Sequence, residues 1–169
     1  MSEFSASFVR HLRTLAERDR GSMAVLRRSL SFDPGTYPAA FPLVEGFVSD
    51  TTSGASRRSL YLMAGLFASH ERHEPRTTFA SAFARLQQRR RSASLEQRFI
   101  GLLDADEDQL PFRLRQAIGL LAADGIGFDY ERLASDLPWW GAENRQVQQR
   151  WARDFYRALQ VQDDHDDSQ

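Results

Sequence analysis

Apolar residues recur at steps of three and four along almost the whole chain, and the alternation that marks a half-buried strand is missing throughout. A chain patterned in this way buries its hydrophobic side chains by laying helices against one another. Phe4, Phe8, Leu12 and Leu15 mark a first helix, and Met23, Leu26 and Leu30 a second that "FDPG" stops at Pro34. A third is expected across "PAAFPLVEGFV", with Pro38 in its first turn and Phe41, Val44 and Val48 in its stripe. The polar loop "SDTTSGAS" ends at a loop-helix junction carrying Arg57 and Arg58, and Leu62, Met63, Leu66, Phe67 and His70 describe a helix that "HEPRTT" terminates.

Phe79, Phe83 and Leu86 begin the next helix, which runs into the basic break "QQRRRSAS"; Leu95, Phe99 and Leu102 follow, then the acidic turn "DADED". Leu110, Leu114, Ile118 and Leu121 give a strongly periodic helix closed by "DGIG". The short helix "DYERLASDL" leads through "PWWG" to a last one from about Glu143 to Gln160, carrying Val147, Trp151, Phe155 and Leu159. The expected fold is therefore an all-α bundle of eight or nine helices. Its divisions are a basic N-terminal lobe over 1–91, a C-terminal lobe over 92–160, and an acidic, disordered tail over 161–169 that has almost nothing to bury.

The 169 residues are 41% hydrophobic and 27% charged, as in an ordinary globular protein. No apolar run reaches the roughly 20 residues needed to cross a bilayer, and no export signal is evident, so a cytoplasmic location is expected. Cysteine is absent, which removes disulfides, thiolate nucleophiles and cysteine-ligated zinc. The net charge of -1 conceals segregation: residues 1–103 hold 15 arginines against nine acids, residues 104–160 seven against ten, and the tail adds four aspartates. All 22 basic residues are arginine. A GC-rich genome favours that usage, and guanidinium groups also suit planar contact with phosphate.

Catalytic patterns do not assemble. "HERHE" has its histidines three apart rather than four, with no third ligand, so His70 reads as a hydrogen-bonded residue at a helix end and His73 as a favourable charge on the last turn. "DADED" lacks the glycine and terminal glutamate of a calcium loop and reads as acidic charge before a helix. No nucleophile elbow, phosphate loop or dinucleotide fingerprint occurs. No enzyme activity, metal or cofactor is expected. Among the aromatics, Trp151 and Phe155 are spaced as core, leaving Trp139 or Trp140 as the exposed ones.

The arginines carry the functional signal. In "DRGSMAVLRRSL", Met23, Leu26 and Leu30 share one stripe of a helix, and Arg20, Ala24, Arg27 and Arg28 share the adjoining face. Small Ala24 lets a backbone approach, and Gly21 and Ser22 open the helix with N–H groups available to a phosphate. The competing view is a solvated face paired with Glu17 or Asp19. Arg57 and Arg58, the triplet Arg89 to Arg91, and Arg113 with Arg115 repeat the theme; the last two are two apart and point to different sides, and pairing of one with "DADED" is the alternative.

Together with "LYLMAGLFASH", the long stretch from "EQRFIGLLDADEDQLPFRL" to "DYERLASDLPWW", and "VQQRWARDFY", that segment resembles the small subunit of the type I-E CRISPR surveillance complex Cascade, the CasB-type family. The resemblance covers nearly the whole chain before the tail, with Tyr130 where a tryptophan is expected. It implies a non-catalytic, all-helical subunit, present in two copies beside the subunits that hold the guide RNA. Such a subunit stabilises the R-loop through target and displaced DNA strands while a separate helicase-nuclease cleaves. Membrane and small-molecule partners are not implied. Arg20, Arg27 and Arg28 match the family motif best as DNA contacts, with Arg57, Arg58, Arg113 and Arg115 second.

Two rivals stand beside this reading. One is a transcription regulator using the last two helices as helix, turn and recognition helix, with Arg145, Arg150 and Arg153 available. The other is a purely structural scaffold whose arginines bind acidic protein neighbours.

Overall fold

The computed structural model describes residues 2–166, and among them nine α-helices and no strand are present. In chain order these are α1 Glu3–Arg18, α2 Arg20–Ser29, α3 Phe41–Val44, α4 Gly54–Ser69, α5 Phe79–Arg90, α6 Ala93–Leu103, α7 Leu110–Ala123, α8 Tyr130–Asp136 and α9 Gln146–Asp166. None of these is long and apolar enough to cross a membrane. Side-chain caps set several starts: Ser2, Asp19, Ser53 and Thr78 each accept the backbone N–H three residues on, satisfying a donor that the helix itself leaves unpaired.

Helix α4 is the hub. Ten consecutive residues, Ser59 to Ala68, are buried, the mark of a helix enclosed on all sides. It packs on α1, α2, α3, α7 and α8. The α2 crossing is close because residue 65 is glycine: a β-carbon there would lie 2.6 Å from Leu30 Cδ2 and 3.2 Å from the Leu26 carbonyl oxygen. A second centre forms where α5 packs along α9, with Phe99 stacked on Phe155 at 4.2 Å and Phe79 against Trp151 at 5.1 Å. The buried apolar residues of both halves form one contiguous cluster from Phe8 to Phe155.

Several expectations are revised. The third helix is not continuous: a 3₁₀ turn over Pro38–Ala40, the single turn α3 and a second 3₁₀ turn over Glu45–Phe47 replace it. Pro42 lacks the N–H that would continue the ladder. Arg57 and Arg58 lie inside α4, because Ser53 rather than a later residue caps it. Helix α9 continues six residues beyond Gln160, since extending a formed helix fixes only one residue per bond. It thus enters the acidic segment 161–169, whose last three residues lie outside the described ones.

The "HEPRTT" segment does more than end a helix. It lies beside residues 126–130, with the Glu74 N–H donating to Phe128 O at 2.9 Å and the Asp129 N–H donating to Thr77 O at 2.7 Å. His70 Nε2 donates to Ile126 O at 2.6 Å, and the buried Tyr130 hydroxyl donates to His70 O at 2.6 Å. His73 is not a charge on the last turn. It is half-buried beyond the end of α4, and its Nδ1 accepts the Tyr130 N–H at 3.1 Å, which requires a neutral acceptor nitrogen.

This packing has measurable consequences. Gly65→Ala gains helix propensity of about 1 kcal/mol but forces α2 off α4 at a cost of about 1–3 kcal/mol, so Tm is expected to fall. At Gly119 of α7, where a β-carbon would meet nothing within 4 Å, the same substitution should raise Tm. Burial, the leading cause, also holds His73 below its usual value of 6.5. The unfolded chain therefore takes up a proton near pH 6.5 that the folded chain refuses, and this part of the stability is lost as pH falls below 6.5. Denaturant melts at pH 5.5 and 7.5 should show that loss reduced in His73→Asn, whose side-chain oxygen accepts without titrating.

Candidate nucleic-acid interface

Helix α2 presents its arginines from a rigid mount. Met23 and Leu26 are fully buried on one side. At its start Asp19 accepts the Ser22 N–H at 3.0 Å and the Ser22 hydroxyl at 2.6 Å, and these bonds hold its carboxyl below the ordinary value. The Ser22 N–H expected to face a phosphate is therefore already occupied. Asp19 serves as a cap and not as an arginine partner.

The partner is Glu71, 51 residues after Arg20 in sequence. Arg20 Nη1 lies 2.7 Å from Glu71 Oε2 and 3.0 Å from the Ala16 carbonyl oxygen. Arg27 Nη1 lies 3.6 Å from Glu71 Oε1 and donates to Ala68 O at 3.3 Å. Residues 20 and 27 are two helical turns apart and so share a face. Arg28, about 100° further round, is exposed, and its guanidinium makes no hydrogen bond or ion pair among the described residues.

The remaining candidates divide in the same way. Arg57 is built into the fold: Nη1 donates to Gly35 O at 3.1 Å, Nε and Nη2 reach Glu45 at 3.3 and 3.2 Å, and the guanidinium lies 4.8 Å over the Tyr61 ring. The Tyr61 hydroxyl also donates to Glu45; that bond, then Arg57, holds the Glu45 carboxyl low. Arg58, one position on, has no such partner among the described residues and lines a groove with Pro34, Pro111 and Leu62. Across that groove Arg115 lines a neighbouring cleft that shares those three residues, and donates to Leu30 O at 3.3 Å at the end of α2. The tertiary structure thus brings Arg58 and Arg115 to neighbouring clefts, with Arg115 reaching the end of the helix that carries Arg28. Arg113 is not among them; its guanidinium turns toward Gly101 of α6.

Neither Arg113 nor Arg115 pairs with "DADED". Asp106 there accepts the Gln109 N–H at 2.8 Å, just before α7. Of the arginine triplet, Arg89 donates to Asp124 O at 3.0 Å and Arg90 pairs with the Asp124 carboxylate at 2.7 Å, so two of the three tie α5 to the end of α7. Two of the regulator's three arginines are also occupied: Arg145 donates to Leu103 O at 2.5 Å, and Arg150 pairs with Asp136, which also accepts from Trp151 Nε1 at 2.8 Å, while Arg153 is exposed.

Sequence reasoning finds Trp139 as an exposed aromatic, at 66%, while Trp140 is buried with its Nε1 donating to Ala105 O at 2.9 Å. It misses Phe112, equally exposed, although its place off the Leu110, Leu114, Ile118 stripe is a usable signal. A cleft of about 680 Å³ elsewhere, edged by Ser2, Ser53 and Trp139, has no charged lining residue. No cluster of three or more His, Asp or Glu able to hold a metal occurs among the described residues.

The family model described as CRISPR-associated protein Cse2 matches residues 22–156. A CRISPR-associated protein Cse2 of Thermus thermophilus is 44% identical over 137 residues, covering 80% of this chain and 78% of that one. The crystal structure of CasB from M. ruber is 37% identical with a TM-score of 0.84, over 96% of this chain and 98% of that one. A chain of a CRISPR RNA-guided surveillance complex, 22% identical, shares the fold at a TM-score of 0.85 over 96% of this chain and 97% of that one.

The division among the arginines predicts opposite responses to truncation. Arg57→Ala should cost about 1–2 kcal/mol by losing the Gly35 and Glu45 hydrogen bonds and the stack on Tyr61. Arg28→Ala should leave the thermal melt unchanged, as differential scanning fluorimetry of the two variants will read directly.

Proposed function

This chain belongs to the family of the CRISPR-associated protein Cse2, and we propose that it is the non-catalytic small subunit of a type I-E Cascade complex. In this reading it grips DNA backbone without reading sequence and stabilises the R-loop through the target and displaced strands. The observation that carries the reading is the exposed Arg28 guanidinium, without a partner among the described residues, on the helix that also holds the Arg20–Arg27 pair and whose end Arg115 reaches at Leu30 O. Such groups supply charge and directed donors but no base-edge code, which suits a complex in which guide pairing reads sequence and the exchange of duplex for heteroduplex is nearly balanced.

Its partners are the other Cascade subunits with their guide RNA, a second copy of itself, and the two DNA strands, in the cytoplasm. Arg28 and Arg58 lead the contact set, with Arg20, Arg27 and Arg115 beside them. Arg113 contacts DNA from a different side of α7, and Arg57 acts through the fold that holds α4.

The test uses the chain assembled with its partner subunits and guide RNA. Arg28→Ala with Arg58→Ala should leave assembly intact, shorten R-loop lifetime, and reduce the slope of log affinity against log salt by about 0.7–0.9 per lost phosphate contact. An assembled double variant with unchanged affinity, slope and lifetime would remove the backbone-grip reading and favour a scaffold.

A further inference from the structure

Two of the α2 arginines converge on Glu71, and the position of that acid is fixed from several directions. It lies two residues past the end of α4, at the centre of a tight turn in which the Arg72 N–H donates to His70 O at 2.9 Å. His70 is itself anchored through its side chain to Ile126 O and through its carbonyl to the buried Tyr130 hydroxyl. The carboxylate therefore projects from a pinned backbone and not from a mobile loop. Its two oxygens are divided between the arginines, Oε2 toward Arg20 at 2.7 Å and Oε1 toward Arg27 at 3.6 Å.

Two oxygens of one anion shared between two guanidinium groups is how a bridging phosphate would be held. The arrangement stays open to solvent, with the Arg20, Arg27 and Glu71 side chains 60%, 43% and 26% exposed. Each guanidinium also has a neutral backbone acceptor at a helix end, Ala16 O for Arg20 and Ala68 O for Arg27. Their placement thus survives exchange of the carboxylate for another anion. Ion pairs this exposed are weak and readily exchanged.

We propose that Glu71 is a specificity-determining residue: its carboxylate occupies the phosphate position between Arg20 and Arg27, and DNA must displace it to engage them. Stray DNA then meets mainly Arg28, while a strand held in register by the rest of the complex gains the two further arginines. Glu71 lowers affinity for unmatched DNA more than for a completed R-loop. This proposal rests on the backbone-grip reading above.

The test compares Glu71→Gln with Glu17→Gln, a control at an exposed position of α1, in the assembled complex. Glu71→Gln should tighten binding to unmatched duplex and single strands by about threefold to fivefold, the worth of one exposed ion pair. It should also steepen the salt slope, with Tm unchanged and a smaller gain on matched target. The gain should vanish when Arg20 and Arg27 are both alanine. Unchanged or weaker binding by Glu71→Gln, while Arg28→Ala still weakens binding, would overturn the proposal and leave Glu71 as a residue that merely positions arginines. An equal gain in Glu17→Gln would overturn it too, by reducing the effect to net charge. If neither Arg28→Ala nor Glu71→Gln changes binding, the backbone-grip reading has failed and the proposal with it.

Discussion

The close approach of α2 to α4 at Gly65 is the contact on which the candidate surface depends. With no side chain at that position, Leu26 and Leu30 settle onto the hub helix, and the opposite consequence is that the arginines of α2 stand at its edge. The same approach carries Arg27 to the last carbonyls of α4 and to Glu71. It also sets the end of α2 beside α7, where Arg115 reaches Leu30 O. A wider crossing would separate these groups, because each contact is made by a single guanidinium at 3.3–3.6 Å.

Guanidinium groups perform two kinds of work in this fold. Arg57, Arg89, Arg90, Arg145 and Arg150 satisfy helix-end carbonyls or acids and so replace ties that other chains make with caps or apolar packing. Planar forks with several donors suit that role, since one side chain can bind a carbonyl and a carboxylate together. Arg28 and Arg58 have no such partner among the described residues. An arginine-rich sequence is therefore a poor guide to which arginines face solvent, and the net count of positive charge overstates the charge available to a partner.

Helix type and most of the core were legible in the sequence because periodicity reports directly on burial. The run "LYLMAGLFA" is apolar on every side and becomes the enclosed helix; Trp151 and Phe155, spaced by four, are core. Less legible were interruptions and neighbours. Pro42 breaks the third helix into single turns, and "HEPRTT" pairs with a segment more than fifty residues away. His73 looks like a surface charge in sequence and is instead a neutral acceptor for Tyr130.

By itself the sequence determined an all-helical chain without thiol chemistry, a basic first half, and a helix with an apolar stripe beside an arginine face. These follow from local spacing and from residue chemistry, which need no partner to be read. Only the tertiary structure decided which arginines are bound internally, that Glu71 rather than Glu17 or Asp19 stands between Arg20 and Arg27, and that Arg115 joins α2 while Arg113 does not. The physical reason is range: an ion pair or a hydrogen bond acts over a few ångströms in space, and nothing in the spacing along one helix says which distant residue will arrive there.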